Sequence, residues 1–168
     1  GMITTCGMTF VGHPEVDPEA ENEELGLHGR LSYLPAKGVV ADSGWEDEEY
    51  VIRVRGKMRE TIMFGCCLEM TREISTVLGE KSIRIHDRVE NLGVDPAPLM
   101  FVYHTNPGFP LLDAGTRLVL HSRKSTEWQH DKEVGPKEYS VARAPRGTMH
   151  DDVYIHRPRA DRQGNVHL

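Results

Sequence analysis

The chain has 168 residues, 38% of them hydrophobic and 27% charged, which is typical of one soluble globular domain and unlike a disordered chain. No apolar run approaches the roughly 20 residues that a membrane-spanning helix needs, so we expect no membrane partner. The formal net charge of −6 at pH 7 repels phosphate backbones, so we expect no nucleic-acid partner either.

In chain order, the acidic runs 15–24 and 46–49 come first, and we interpret both as solvated loops because blocks of like charge usually are. Residues 50–58 then alternate between an apolar face and a basic face, as a half-buried strand requires. Residues 60–82 continue as strand with a tight turn at Gly79 and Glu80, and residues 82–91 repeat the alternation. These segments predict an antiparallel meander.

Two further strands are predicted in the second half of the chain. Residues 99–104 form a nearly continuous apolar run and are predicted to be a strand buried on both faces, and residues 116–123 are predicted to be a short strand. No window of twelve residues has a helical apolar stripe, so helix content should be low. The fold class is therefore all-β, over a single domain 1–168 with an extended C-terminal tail, 157–168.

Cysteine usage indicates the compartment. Cys6 and the adjacent Cys66 and Cys67 have neither the spacing of a redox pair nor that of a disulfide framework. The N-terminus lacks the charged and apolar segments of a secretion signal. An odd number of thiols is typical of a reducing environment, so we expect a cytoplasmic protein.

Two glycine-containing loops carry the residues best suited to acid/base chemistry. His104 ends the run 99–104 just before a break at Asn106, and His28 and Arg30 stand beside glycines that let a ligand approach the backbone. The alternatives are a solvent-facing turn for His28 and a buried histidine bonded to a loop carbonyl for His104.

Other chemistries have little support in the sequence. The nine histidines are never two, three or four residues apart, so no single strand or helix supplies a pair of metal ligands. Nucleophile-elbow and phosphate-binding glycine motifs do not occur. We therefore expect neither a metal nor another cofactor, and a cupin-type metal-binding β-barrel is the weakest alternative.

Short motifs in a fixed order carry a resemblance to a known family. They are "TTCG", "LHGR" with "PA" after it, "LGE" followed by "D-x-VEN", and "YHTNPGFPLLD". As a set they resemble the aldose 1-epimerase-like branch of the galactose mutarotase-like superfamily. The resemblance implies an antiparallel β-sandwich, part of that superfamily's supersandwich, with a sugar-binding cleft. Because the family's chains are longer, we expect this one to be truncated at both ends.

The resemblance also implies roles for residues in the matching motifs. Enzymes of this branch interconvert the anomers of a free aldose. In them a histidine matching His104 donates a proton to the ring oxygen, and one matching His28 contacts the sugar. Arg30 and Asn106 are expected to bind sugar hydroxyls. The sequence does not specify which sugar.

One part of the family's machinery has no counterpart in the sequence. The family's general base is a glutamate near the end of a longer chain, and no glutamate here matches its motif. Whether this chain is an enzyme therefore stays open, and the alternative is a non-catalytic carbohydrate-binding module. A partial sandwich should expose sheet edges, which are pairing sites, so we also expect a homodimer or higher homo-oligomer.

Overall fold

The computed structural model describes residues 2–16, 24–145, 147 and 152–167. Strands dominate these residues, and their helices are one four-residue α-helix and one 3₁₀ turn, so the all-β prediction is confirmed. The chain divides into two compact units, one of residues 3–105 and one of Met2 with residues 106–167. The single domain expected over residues 1–168 stays a prediction.

The first unit contains nine strands and the 3₁₀ turn. In chain order these are β1 (Ile3–Met8), β2 (Glu15–Val16), β3 (Glu24–Leu25), the 3₁₀ turn Leu31–Tyr33, β4 (Lys37–Ala41), β5 (Gly44–Glu46), β6 (Glu49–Thr61), β7 (Cys67–Val77), β8 (Arg84–Asn91) and β9 (Met100–Thr105). All pairings between them are antiparallel: β4-β6-β7-β8 with β5 added to β6, then β1-β9 and β2-β3.

The predicted meander is confirmed as β6-β7-β8, but the strand predicted over residues 60–82 is interrupted by a turn at 62–66 between β6 and β7. The turn after β7 passes through Gly79, whose φ of 91° lies in the left-handed region that favours glycine. The Glu80 amide closes this turn by donating to the Val77 carbonyl over 3.0 Å. The predicted turn at Gly79 and Glu80 is therefore present.

The five-stranded sheet formed by β4 to β8 is called the large sheet. It has one apolar and one charged face, as the alternation indicated. Val54, Ile74 and Ile85 are register partners in one row of the apolar face. On the opposite face Arg53 and Arg55 both pair with Glu73. The charged face lies toward solvent, and the apolar face is available for packing.

The strand pair β1-β9 packs on the apolar face of the large sheet. Phe101 of β9 packs against a buried cluster. This cluster consists of Met8, Leu31, Met58, Leu68 and Met70. Met8 and Met70 have no exposed surface. Each contributes about 1.5–3 kcal/mol relative to an exposed position. This packing fixes β1 and β9 against β6 and β7.

The prediction that residues 99–104 are buried on both faces is wrong. The strand is present, but Leu99 and Tyr103 are each 53% exposed, and Met100 and Val102 are also exposed. The reason is that β9 pairs only with β1 among the described strands, and only Phe101 reaches the core cluster. An apolar run is buried only where other elements cover it.

The second unit is a smaller antiparallel sheet. Its strands are β10 (Ser122–Glu127), β11 (Lys132–Glu133) and β12 (Tyr154–Pro158), in the order β11-β10-β12, with α1 (Pro136–Tyr139) between β11 and β12. The buried Ser125 hydroxyl lies 2.8 Å from His156 Nδ1, and the ring of His156 packs edge-on against Tyr139. Burial lowers the pKa of His156, so the neutral imidazole is favoured at this contact.

The predicted strand over residues 116–123 is wrong. The strand begins at Ser122, and the preceding apolar run pairs with the segment after α1 only through an isolated bridge from Arg117 to Val141. Leu118 and Val119 are 51% and 72% exposed. β-Prone composition alone does not make a strand where no continuous partner is present.

The remaining predictions concern loops and the tail. The acidic runs are not loops throughout, because Glu15 and Glu24 lie in β2 and β3, and Glu46 and Glu49 lie in β5 and β6. Residues 17–23 lie outside the described residues, and residues 47–48 form the exposed turn between β5 and β6. In the tail, Pro158 ends β12 and Ala160 pairs with Val166 across a turn. Among the described residues, no helix is both long and apolar enough to cross a membrane.

Candidate functional site

Two of the predicted histidines lie together in the first unit. His104 is in β9, where it is the register partner of Thr4 in β1, and His28 lies in the loop after β3. Their ring centroids are 5.7 Å apart with an angle of 43° between the planes. Both residues are half-buried. One small ligand could therefore contact both imidazoles.

The backbone of the loop that carries His28 is anchored to residues near it in the first unit. The Gly7 amide donates to the His28 carbonyl, and the His28 amide donates to the Gly12 carbonyl, each over 2.8 Å. His28 and Gly29 both have positive φ values, 61° and 81°. A Cβ on Gly29 would lie 2.1 Å from the Phe10 carbonyl oxygen, so only glycine fits there. The loop therefore holds His28 in a conformation that few residues adopt.

His104 presents a buried polar atom without a partner. Its Nδ1 is buried and has no hydrogen bond to any described residue. A structural histidine bonded to a loop carbonyl, the alternative from the sequence, would use such an atom. Because buried polar groups are nearly always paired, this nitrogen has an unused capacity for one hydrogen bond.

Arg30 is held by a buried carboxylate. Its Nη1 donates to Glu60 Oε1 over 2.9 Å, and the Glu60 side chain is 2% exposed while that of Arg30 is 26% exposed. The Thr9 hydroxyl donates to the same carboxylate oxygen. Arg30, Thr9, Phe10 and Cys66 line a cavity of about 330 Å³, but neither His28 nor His104 is among its lining residues. The structure therefore does not place Arg30 in a common cavity with the two histidines.

Sequence reasoning missed Glu60, although a signal was present. Glu60 lies on the same face of β6 as Met58, at a position where the alternation calls for an apolar side chain. A carboxylate at such a position needs a cationic or hydrogen-bonding partner. The pattern therefore marks Glu60 as a paired residue but does not identify its partner.

A second charged group lies on the apolar face next to the core. Asp87 of β8 accepts hydrogen bonds from Arg72 Nε and Nη2, over 2.7 and 2.6 Å, and from the Tyr103 hydroxyl over 2.7 Å. Arg72 also donates to Thr5. Burial raises the pKa of Asp87, but the bonds from Arg72 and Tyr103 outweigh it and the pKa lies below its usual value. This group joins four strands of the first unit.

Asn106, the fourth predicted site residue, belongs to the second unit. Its backbone amide donates to the Met2 carbonyl over 2.7 Å. Its expected contact with a sugar stays a prediction.

Neither a metal cluster nor an activated thiol is present among the described residues. No group of three or more His, Cys, Asp or Glu side chains in them is placed to hold a metal ion. The cysteines there are free, and burial raises the pKa of the Cys66 thiol, which disfavours the nucleophilic thiolate. No described carboxylate bonds to His28 or His104. The two imidazoles are the groups here best suited to proton transfer.

The chain matches a family model and resembles a solved structure. A family model described as "Domain of unknown function (DUF4432)" matches residues 1–168. A search of curated proteins gives no match. Among solved structures, a crystal structure described as that of a "putative aldose 1-epimerase" from Klebsiella pneumoniae subsp. pneumoniae MGH 78578 matches with a TM-score of 0.84 and 26% sequence identity.

The structural match includes nearly all of this chain but less than half of the other. It covers 96% of this chain and 41% of the Klebsiella chain. The chain thus spans about two fifths of the length of the solved structure that it resembles. The similarity supports the fold, and it leaves the activity of the longer protein as a hypothesis for this one.

Proposed function

The chain belongs to the DUF4432 family and has the fold of the galactose mutarotase-like superfamily, and from this we propose that it binds carbohydrate and interconverts sugar anomers. The ligand would be a free aldose. A neutral sugar needs convergent hydrogen-bonding groups, which the two histidines offer. It does not need a positive electrostatic potential, and the net charge of the chain is −6.

The proposed chemistry is acid-assisted ring opening. A proton is given to the ring oxygen while a general base takes the proton of the anomeric hydroxyl, so that the bond between the anomeric carbon and the ring oxygen breaks. The resulting aldehyde then recloses on either face. His104 would donate the first proton, since histidine is the side chain that most often acts as a general acid. His28 would hold a hydroxyl of the sugar. A positioned acid of this kind contributes about 10²- to 10⁴-fold in rate.

The observation that carries this proposal is the unpaired Nδ1 of His104 beside the His28 ring. The atom is buried, the rings are 5.7 Å apart, and the surrounding loop is held in place by backbone hydrogen bonds. Because the nitrogen is buried, a ligand hydroxyl would reach it after a movement of one of the two half-buried rings.

The proposed ring opening also needs a general base. The buried carboxylates of the first unit are engaged: Glu60 with Arg30, Glu69 with Lys57 and Arg59. Hydrogen bonds from those two cations lower the pKa of Glu69, and a carboxylate with a low pKa is a poor base. This favours a second candidate function, binding of a sugar without catalysis.

We expect the protein to accelerate the mutarotation of freshly dissolved α-glucose or α-galactose, measured by polarimetry. His104→Gln should reduce the acceleration at least about 100-fold, because it removes the proton donor. His86→Gln is the matched control, since His86 is exposed on the charged face of β8 and should leave the rate unchanged.

The outcomes separate the two candidates. A rate above that of buffer that disappears only in His104→Gln supports the isomerase. A rate equal to buffer, with sugar binding that is lost in His104→Gln, supports the binding module. If neither a rate nor binding depends on His104, the site does not act on these sugars and both candidates fail for them.

Two wider proposals concern the molecule in the cell. We propose a homodimer or higher homo-oligomer, supported by the exposure of apolar side chains such as Val54 and Ile74 on one face of the large sheet. We also propose a cytoplasmic location, supported by the free cysteines Cys6, Cys66 and Cys67.

A further inference from the structure

A cationic pocket lies on the first unit beside the charged face of the large sheet. Its volume is about 390 Å³, and it is lined by Lys37, Lys57, Arg59 and Glu69, with Leu34, Pro35 and Gly38. Three positive side chains thus meet one negative one, in a protein whose net charge is −6. The local charge of the pocket is therefore opposite in sign to the net charge of the whole chain.

The excess is built into the register of the strands. Lys37 of β4 and Lys57 of β6 are direct cross-strand partners. Like charges directly opposite each other destabilise a sheet. Glu69 does not relieve the whole excess, because it pairs with both Lys57 at 2.9 Å and Arg59. The Lys37 side chain makes no ion pair or hydrogen bond with a described residue.

The backbone next to Lys37 leaves room for a ligand. The β4-β6 register shifts between Lys37 and Val40, and Gly38, with a φ of 58°, lies within this irregularity. A Cβ at Gly38 would meet no atom within 4 Å, so the space above its backbone is open. Irregularities of this kind are over-represented beside functional sites.

We propose that this pocket binds the phosphate group of a small ligand. Lys37 and Lys57 would bracket the phosphate and relieve their mutual repulsion, while Glu69 holds the Lys57 and Arg59 side chains in place. The apolar side chains of the wall, Leu34 among them, favour a phosphate monoester with a carbon skeleton over inorganic phosphate. This site stands apart from the proposed sugar chemistry and does not depend on it.

The test is thermal melting of the full chain with glucose 6-phosphate and with inorganic phosphate, at constant ionic strength. At ten times its Kd the ligand should raise Tm by about 3–6 °C. Lys37→Ala should reduce this shift by at least half. Lys81→Ala is the matched control: Lys81 is exposed, does not line the pocket, and should leave the shift unchanged.

A charge reversal gives an independent readout. Lys37→Glu places a negative charge opposite Lys57, so it should raise Tm without ligand and abolish the phosphate-dependent shift. A shift with the monoester alone supports the proposal in full. An equal shift with inorganic phosphate supports the phosphate site but overturns the preference for an organic ligand. No shift with either probe, or equal shifts in the Lys37 and Lys81 variants, overturns the site.

Discussion

Asp87 carries a charge on the apolar face of its sheet, and its partners decide whether that charge stabilises the fold. Its side chain is 5% exposed and that of Arg72 is 17% exposed. Two hydrogen bonds from Arg72 and one from Tyr103 satisfy the carboxylate. An ion pair of this kind adds little compared with apolar packing, but losing one partner leaves an uncompensated charge.

We expect Asp87→Asn to lower the free energy of unfolding by about 3 kcal/mol, since it leaves Arg72 without its counter-ion. Glu90→Gln is the control on the same strand. Its pair with Arg88 is exposed, so its removal should change the free energy by less than about 1 kcal/mol. Urea denaturation at pH 7 measures both variants. Equal losses would show that Asp87 is not the stabilising carboxylate.

The same pair has a defined pH dependence. The pKa of Asp87 is lower in the folded protein than in the unfolded chain, so its contribution is complete above the ordinary carboxyl pKa of about 4. The contribution disappears as the pH falls through the lowered folded value. The stability difference between wild type and Asp87→Asn should therefore be constant from about pH 6 to 8 and shrink below about pH 4. A difference that stays constant down to pH 3 contradicts this assignment.

At the scale of single residues, some contacts could be predicted from the sequence and others could not. The resemblance selected His28 and His104 from nine histidines, and the structure brings those two rings together. The resemblance did not identify the carboxylate of Glu60, 30 positions further along the chain, as a partner of Arg30. Pairing between distant residues depends on strand register and loop packing, which local patterns do not contain.

At the scale of elements, the loop that carries His28 depends on Gly29. Gly29 has a φ of 81°, and a Cβ there would lie 2.1 Å from the Phe10 carbonyl oxygen and 2.9 Å from the Gly7 Cα. These atoms belong to the backbone and cannot rotate away. The position of His28 is therefore coupled to the close approach of this loop to β1.

We expect Gly29→Ala to destabilise the protein by about 2–5 kcal/mol, since left-handed strain costs about 1–2 kcal/mol and overpacking about 1–3 kcal/mol. Gly26→Ala in the same loop is the control. Gly26 has no positive φ, and a Cβ there would meet no atom within 4 Å. Thermal melting of the two variants compares them. Similar Tm values would show that the loop yields more easily than its geometry indicates.

The elements differ in how well the sequence predicts them. Strands β6 and β8 largely alternate between apolar and charged residues, because one face packs and the other meets solvent, and both were predicted. The apolar runs 99–104 and 116–123 lack this alternation. Their burial depends on neighbours, and these neighbours are a single strand in one case and an isolated bridge in the other.

At the scale of the molecule, the apolar face of the large sheet is incompletely covered. Its Met58 and Met70 end lies under the β1-β9 pair and is buried. Toward the other end Ile52, Val54 and Ile74 are 39%, 41% and 40% exposed. Large exposed apolar patches are typical of interaction sites, and these three side chains share one face of the sheet. A second copy of the chain is the partner that the proposed homo-oligomer supplies.

We expect light scattering across a dilution series to give the mass of a dimer or larger assembly at the highest concentrations. Ile74→Lys should shift the population toward monomer, because a charge in an apolar interface is costly to desolvate. Arg88→Ala, on the charged face, should not. Both positions are exposed in the single chain, so neither change should unfold it. A wild type that is monomeric at every concentration would remove the proposed interface, and the exposed face would then need another partner.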